Sequence, residues 1–351
     1  MKPLCIAVGF AGALGLIACG GGGERTVPTS PGSATLSAPT PQSPINDQQV
    51  DTARPAFVVV NATSSEDGAK TYDFEISTRE DFLTTVASQT GIAEGSGTTS
   101  FTPASDLEAS TRMFWRARAR QGSTLSAWSA IAQFRTKEGG FNRPGALFDP
   151  LTNGQTIGTQ VGSTTFMGTR GLRVDNANSW VKYQLAQTLT SGEISVEVEG
   201  LAPNGSGSKA RIFSMMDGGS TLYHSPYLFN VQYRGQSGNP DNAISFKVLM
   251  GGEFFKYEPT FSERAAGVRS LNPTTTYLWT ATWGTTFRLV VREGGADGPV
   301  IYDMSMPTSG TYNPVPHTVY LGANDSAFET GSYAGAIYRN FYVGTGPRPV
   351  K

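Results

Sequence analysis

Histidine is the side chain whose charge changes nearest neutral pH, so the two histidines are the first residues to examine for acid–base chemistry. His224 lies in a polar and aromatic stretch between Tyr223 and Tyr227, which predicts a loop. His317 opens an apolar run, which predicts a core strand. We therefore take His224 as the candidate acid or base. Side chains around it in the sequence complete a candidate ligand-binding or catalytic set: Tyr223, Tyr227, Arg211, Gln232, Arg234 and Tyr257.

Exposed aromatic rings also suit binding without reaction, because sugar rings stack on them and offer hydroxyl groups for hydrogen bonds. Phe254 and Phe255 add to the aromatic side chains of that set. Three tryptophans compete for the same role, but their positions inside strand patterns predict core packing: Trp180, Trp279 and Trp283.

Several carboxylate and amide side chains, the ligand types that Ca²⁺ takes in proteins, lie in predicted turns. They form a candidate Ca²⁺ set: Asp217, Asp241, Asn242, Asn324 and Asp325. Turn chemistry explains them equally well, since Asp and Asn hydrogen-bond to their own backbone. No phosphate loop, zinc motif or nucleophile elbow appears, so no other cofactor is predicted.

The composition favours short strands as the elements that position these residues. With 42 glycines, 21 prolines and 16% charged residues, the chain is richer in turn formers than a helical protein. Its formal net charge of -1 gives no basic field to attract nucleic acid. The sequence therefore predicts an all-β protein without a nucleic-acid partner.

The first nineteen residues predict an export signal. Lys2 precedes an apolar run that is too short to span a bilayer comfortably. Leu16-Ile17-Ala18-Cys19 resembles the lipobox of bacterial lipoproteins, which implies that Cys19 carries a lipid and is the only contact with the membrane. Gly20, rather than Asp, follows this cysteine. By analogy with lipoprotein sorting, this indicates a cell-envelope protein of the outer membrane if the host is Gram-negative.

Residues 20–43 predict a flexible tether, because they are rich in Gly, Ser, Thr and Pro and hold few large apolar side chains. The sequence holds two cysteines, Cys5 and Cys19, and Cys5 lies in the signal. Loss of the signal leaves no pair for a disulfide, so packing has to stabilise the folded part.

Residues 44–138 alternate short β-rich runs with turn signals, as a sandwich does. Residues 107–119, with Ser126-Ala127-Trp128-Ser129, resemble the second half of a fibronectin type III domain. Met113 stands where that family has its corner tyrosine. The arginines of residues 112–120 form either a stripe for an acidic polysaccharide or a solvated strand face, and Asp73 and Glu75 on the neighbouring strand favour the second interpretation.

Residues 139–351 predict a second, larger sandwich. The order of Trp180-Val181, the strand of residues 192–198, the hairpin of residues 277–291 and the closing residues 335–343 resembles a concanavalin A-like, laminin-G-like jelly roll. This resemblance implies a domain that binds glycans or cleaves them. We expect a surface-anchored lipoprotein that binds polysaccharide or another cell-surface ligand.

Three alternatives stay open. Jelly-roll polysaccharide lyases use a His and a Tyr beside groups that neutralise a uronate, which implies such roles for His224 and its neighbours. Glycosidases of the laminarinase type carry clustered carboxylates on one strand, but Ser195 stands between Glu193 and Glu197 where an aspartate is expected. A solvated sheet face explains these glutamates more simply. The third alternative is structural adhesion to a protein.

Overall fold

The computed structural model describes residues 35–204, 209–217, 227–235, 239–250, 253–257, 260–307, 310–315, 317–325, 331–346 and 348–349. The protein is all-β, as predicted. The described residues form twenty-five strands, one short helix, α1, at Phe261–Ala266, and one 3-10 turn at Gly168–Arg170.

Two packed sheets form the first module. Its nine strands are β1 Thr40–Ser43, β2 Gln48–Gln49, β3 Phe57–Val60, β4 Lys70–Ser77, β5 Ala87–Ala93, β6 Thr98–Phe101, β7 Arg112–Gln121, β8 Thr124–Leu125 and β9 Ala132–Arg135. One sheet has the order β1-β3-β6, and the other has the order β2-β9-β7-β4-β5 with β8 on β7. The core between them centres on Trp115, which packs against Phe57 and Phe74.

Alternation along β7 sorts its side chains between core and surface. Met113, Trp115, Ala117 and Ala119 are buried, as the period of two predicts. The intervening arginines meet acidic side chains of the neighbouring segments: Arg112 with Asp47, Arg116 with Glu75, and Arg118 with Asp73. Both acidic side chains that the sequence predicts on the neighbouring strand, Asp73 and Glu75, pair with these arginines.

Arg116 makes both ring contacts and an ion pair. Its guanidinium lies 4.2 Å from the ring centroid of Phe82 and 4.3 Å from that of Trp128, and it donates to Glu75 at 3.0 and 2.8 Å. We expect Arg116→Ala to lower the free energy of unfolding by about 2 kcal/mol, since two cation–π contacts and an ion pair are lost together. The matched control is Arg120→Ala.

Arg120 lies on the same strand, but its guanidinium is 3.8 Å from Asp73 and its side chain is 43% exposed. Its removal should cost less than about 0.5 kcal/mol, as exposed pairs do. Urea unfolding followed by tryptophan fluorescence measures both variants. Equal losses would contradict the assignment of stability to the ring contacts.

The second module contains sixteen strands. They are β10 Phe141–Arg143, β11 Ala146–Asp149, β12 Thr159–Val161, β13 Thr164–Phe166, β14 Leu172–Val174, β15 Trp180–Gln184, β16 Gly192–Glu199, β17 Ala210–Asp217, β18 Tyr227–Arg234, β19 Ala243–Met250, β20 Glu253–Tyr257, β21 Tyr277–Trp283, β22 Thr286–Glu293, β23 Val300–Pro307, β24 His317–Gly322 and β25 Ile337–Gly344.

These strands form two facing sheets. The nine-stranded sheet has the order β10-β11-β25-β16-β21-β22-β23, with the β13-β14 pair attached to β25. The seven-stranded sheet has the order β12-β15-β24-β17-β18-β19-β20. One apolar core lies between them and includes Trp279, Phe229, Phe246 and Val319. This is the larger sandwich that the sequence predicts.

Candidate functional site

The face of the seven-stranded sheet that points away from this core is the most polar buried surface of the second module. On β18, Phe229, Val231 and Tyr233 point into the core. Asn230 and Gln232 alternate with them and therefore point to the other side, which we call the outer face. A strand of an open antiparallel sheet normally shows one side to water, yet every residue of Leu228–Arg234 is buried.

Strand register gathers the polar side chains of the outer face into one cluster. Ser214 of β17 lies opposite Asn230, and Ser245 of β19 lies opposite Gln232. Directly opposed side chains are about 5 Å apart, and residues two apart on one strand are separated by about 7 Å. We call Ser214, Asn230, Gln232 and Ser245 the polar cluster.

Each member of the polar cluster is buried, with relative exposures of 0% for Ser214 and Ser245, 2% for Asn230 and 3% for Gln232. Their Oγ, Oδ1 and Oε1 atoms have no hydrogen-bond partner among the described residues. The indole Nε1 of Trp180, on β15 of the same sheet, shares this condition. Most buried polar groups in folded proteins are paired, and each unpaired one costs about 1–3 kcal/mol. The four oxygen atoms can therefore accept hydrogen bonds from a ligand, and the indole N–H of Trp180 can donate one.

Basic side chains border the polar cluster. Arg211 and Arg234 are buried, and Arg211 donates through Nη1 to Asn324 Oδ1 at 2.5 Å. Lys247 lies opposite Asn230 in the register of β18 and β19. These cations lie on strands that also carry the neutral hydrogen-bonding groups of the polar cluster.

A tyrosine lies beside the cluster on β24. Tyr320 lies opposite Ser214, and its hydroxyl donates to Asp325 at 3.0 Å. Lys182 is bonded to the same carboxylate and lies 5.7 Å from the Tyr320 ring centroid. Burial and the negative charge of Asp325 raise the pKa of Tyr320 well above its usual value, so the phenol stays protonated at neutral pH.

The outer face also has an apolar part. Met216, Leu228 and Leu249 lie opposite one another on three adjacent strands and are buried together with Trp180. This row runs beside Ser214 and Asn230, because residues two apart on a strand share a face. The face thus offers apolar contacts next to hydrogen-bonding groups, which is the usual make-up of a ligand site.

The structure brings three of the predicted site residues to this face and separates others from it. Arg211, Gln232 and Arg234 belong to the outer face. Tyr227 does not, because it packs on the core side with its ring 5.6 Å from that of Tyr312. His224 and Tyr223 lie outside the described residues. Tyr257 belongs to β20, and its side chain, like those of Phe254 and Phe255, also lies outside them.

Three of the candidate Ca²⁺ ligands have hydrogen-bond or ion-pair partners within the protein. Asn242 has a left-handed backbone with φ 58°, and its Oδ1 accepts from the Asn204 N–H at 2.5 Å. Asn324 and Asp325 bind Arg211 and Lys182, whereas Asp217 ends β17. In the described part of the chain, no three His, Cys, Asp or Glu side chains lie close enough to hold a metal ion. Turn and ion-pair roles account for Asn242, Asn324 and Asp325.

The glutamates of β16 lie on the opposite, nine-stranded sheet. Glu197 accepts from Arg339 at 2.8 Å, Asn340 at 2.9 Å and Arg348 at 2.9 Å. Burial alone would raise the pKa of Glu197, but these hydrogen bonds hold it below its usual value. Glu197 is therefore an ion-paired carboxylate that accepts three donors, which suits neither the free nucleophile nor the protonated acid of a glycosidase.

Two of the three tryptophans that were predicted to be buried lie in the main core, and the third lies on the outer face. Trp279 and Trp283 are core residues, with exposures of 0% and 3%, as predicted. The prediction for Trp180 is right in that it is buried, but it joins the cluster on the outer face rather than the main core.

Sequence reasoning missed Ser214, Asn230, Ser245 and Tyr320. A signal for one of them was present, because Asn230, Gln232 and Arg234 recur at a spacing of two within an otherwise apolar strand. The two serines gave no such signal, since serine is common in turns and on exposed strand faces.

Comparison with known proteins gave no family assignment. No family model matches the chain, and no curated protein matches it. Among solved structures, a crystal structure of chicken CNTN1 FN1-FN3 domains aligns at 10% identity with a TM-score of 0.20. The alignment covers 78% of this chain and 66% of that one, which is just under two thirds of its length. A likeness this low carries no argument about function. In the described residues, no helix has the length and apolar character needed to cross a membrane.

Proposed function

We propose that the protein is a lipid-anchored protein of the cell envelope that binds a polysaccharide through the outer face of its seven-stranded sheet. The observation that carries this proposal is the polar cluster, in which one oxygen atom of each of four neutral side chains is buried without a hydrogen-bond partner among the described residues. A polysaccharide suits this face because its hydroxyl groups both donate and accept hydrogen bonds.

Three features of the outer face support a saccharide over other ligands. Unpaired amide oxygens of Asn230 and Gln232 require a donor, and the serine hydroxyls act in either sense. Met216, Leu228 and Leu249 supply an apolar row for the C–H faces of sugar rings. Arg211 and Arg234 place cationic side chains on the same face. Because the cluster is buried, binding requires a local opening at this face.

Incubation with a panel of neutral and uronate-containing polysaccharides tests the proposal. The chain from Gly20 onward contains every described element and lacks the signal. We expect retarded migration of this protein in gels that contain the bound polysaccharide, without new reducing ends. Absence of retardation in every gel would contradict polysaccharide binding and would favour adhesion to a protein.

A second candidate function is a polysaccharide lyase, and the placement of Tyr320 favours it. Its phenol shares the outer face with Arg211, Gln232 and Arg234, which are groups able to neutralise a uronate. A lyase removes the proton beside the carboxylate and protonates the leaving oxygen, so each cleavage creates an unsaturated sugar end. A rise in ultraviolet absorbance that is absent with Tyr320→Phe would establish this candidate. If the rise is also absent with His224→Ala, His224 is the base.

The anchor is a proposal that rests on the lipobox resemblance of Leu16-Ile17-Ala18-Cys19. We expect Cys19→Ala to abolish incorporation of radiolabelled palmitate in cells that export the protein. The variant should also leave the membrane fraction. Cys5→Ala is the matched control, since Cys5 lies inside the signal, and labelling that survives Cys19→Ala would contradict the assignment.

A further inference from the structure

Among the described residues, the larger sheet of the first module ends on an unpaired edge. Strand β5 is hydrogen-bonded to β4 on one side and is the last strand in the order β2-β9-β7-β4-β5. Ser88, Gln89 and Thr90 are exposed. The unpaired main-chain groups of such an edge form a template for another strand.

Proteins usually protect an edge of this kind with charged residues or proline, and β5 has neither. Its one irregularity is Gly91, with φ +72°, whose N–H donates to Asp73 Oδ1 at 3.1 Å. A register shift between Tyr72 and Phe74 marks the same place. The regular part of the edge is therefore Ala87 to Thr90.

Apolar surface lies beside this regular part. Leu83 is 76% exposed and Val86 is 50% exposed, although both are large aliphatic residues. Next to them opens a cavity of about 550 Å³ with Phe101, Leu107 and Met113 among its lining residues. We call β5, Leu83, Val86 and this cavity the β5 surface. Exposed aliphatic side chains beside an unpaired strand edge suit an interaction site.

The charged side chains that line the cavity are paired. Asp106 and Glu108 line the cavity, and they pair with Arg54 and Arg143. The strand itself is uncharged, so a second β5 can approach it without repulsion between like charges. If two copies are related by a twofold axis, their β5 strands pair antiparallel with each other. The unpaired main-chain groups of both strands are then hydrogen-bonded.

We propose that two copies of this chain associate through the β5 surface, with the β5 strands antiparallel and the larger sheets of both first modules joined into one. Such an interface places Leu83 and Val86 of each copy against the other. This proposal does not depend on the polysaccharide site, because β5 belongs to the other module.

Sedimentation equilibrium over a wide range of concentration tests the proposal, again with the chain from Gly20 onward. We expect the weight-average mass to rise from monomer towards dimer. Gln89→Lys should weaken the association about tenfold or more, because two lysines then face each other across the axis. Gln133→Lys is the matched control, since Gln133 is an exposed residue of β9, which has a strand on either side.

A charge-swap experiment separates a direct contact from damage to the fold. Gln89→Lys and Gln89→Glu should each be largely monomeric, whereas their equimolar mixture should associate again. A wild-type protein that stays monomeric at every concentration overturns the proposal. Self-association that Gln89→Lys leaves unchanged overturns it as well, because the interface then lies elsewhere.

Discussion

The double variant Asn230→Leu, Gln232→Met is expected to lose polysaccharide binding by about tenfold to a hundredfold while it unfolds at the same temperature as the wild type or above it. Leu and Met have similar shapes to the amides they replace. The amide oxygens have no partner among the described residues, so their removal relieves a desolvation cost without breaking a bond of the fold. Each hydrogen bond lost to the ligand weakens binding by about 1–2 kcal/mol.

The opposite directions of the two effects make this prediction specific. A purely structural role for Asn230 and Gln232 predicts that stability and binding fall together. Thermal unfolding and affinity electrophoresis of the same preparation measure both quantities. Gln184→Met is the matched control, because Gln184 ends β15 of the same sheet and is exposed. Gln184→Met should change neither the unfolding temperature nor the affinity. A lower unfolding temperature in the double variant would contradict a ligand site at Asn230 and Gln232.

The second large effect is a loss of stability in acid that originates at His317. Its side chain is 1% exposed, and its Nδ1 accepts from the Leu189 N–H at 3.2 Å. The rings of Trp283 and Tyr312 lie 5.9 and 6.2 Å away. Burial lowers the pKa of His317 from 6.5 to about 4. The folded protein therefore holds this imidazole neutral where an unfolded chain would protonate it.

The sign of the effect follows from that difference. Above about pH 6.5, His317 is unprotonated in both the folded and the unfolded protein. Its full contribution to the free energy of unfolding is then present. As the pH falls towards 4, the unfolded chain gains a proton that the folded protein does not, so the free energy of unfolding drops by about 3 kcal/mol. We expect His317→Asn, which keeps an acceptor for Leu189, to remove this part of the pH dependence.

Urea unfolding at pH 7 and near pH 4.5 measures the difference for each protein. Carboxylates elsewhere also lower the free energy of unfolding in acid, and they do so in all variants. The comparison therefore uses the change in the free energy of unfolding between the two pH values, not its value at one pH. His224→Ala is the natural control, since it removes the other histidine. An equal pH dependence in His317→Asn and wild type would show that His317 titrates normally.

Period-two alternation explains why the first module was the easier one to predict. In β7, the buried residues Met113 to Ala119 alternate with Phe114, Arg116 and Arg118, so one face is apolar and the other is mostly charged. A pattern of this kind specifies both the strand and the side that is buried. The pairing of Arg116 and Arg118 with β4 then follows from the neighbouring acidic residues.

The second module is harder because its central strands are buried on both sides. A strand such as β18 has nearly continuous burial, and its sequence does not say which side faces the main core. Nearness in the sequence therefore groups Tyr227 with His224, although Tyr227 packs on the core side. Gln232 lies on the outer face of the same strand.

Register, rather than sequence distance, assembles the candidate site. Ser214 and Tyr320 are far apart in the chain and directly opposite in the sheet. Ser245 reaches Gln232 in the same way from β19. Pairing of this kind depends on which strands are neighbours, and one sequence without its fold does not contain that order.

The measurement that tests the central claim most directly is a nuclear magnetic resonance titration of the isotope-labelled chain with an oligosaccharide of the polysaccharide that binds. The side-chain amide signals of Asn230 and Gln232 are assigned by their absence from the single variants Asn230→Leu and Gln232→Met. The account predicts that these signals shift and saturate together with the binding curve, while that of Gln184 stays in place. Saturable binding that leaves both signals unmoved would contradict the outer face as the polysaccharide site.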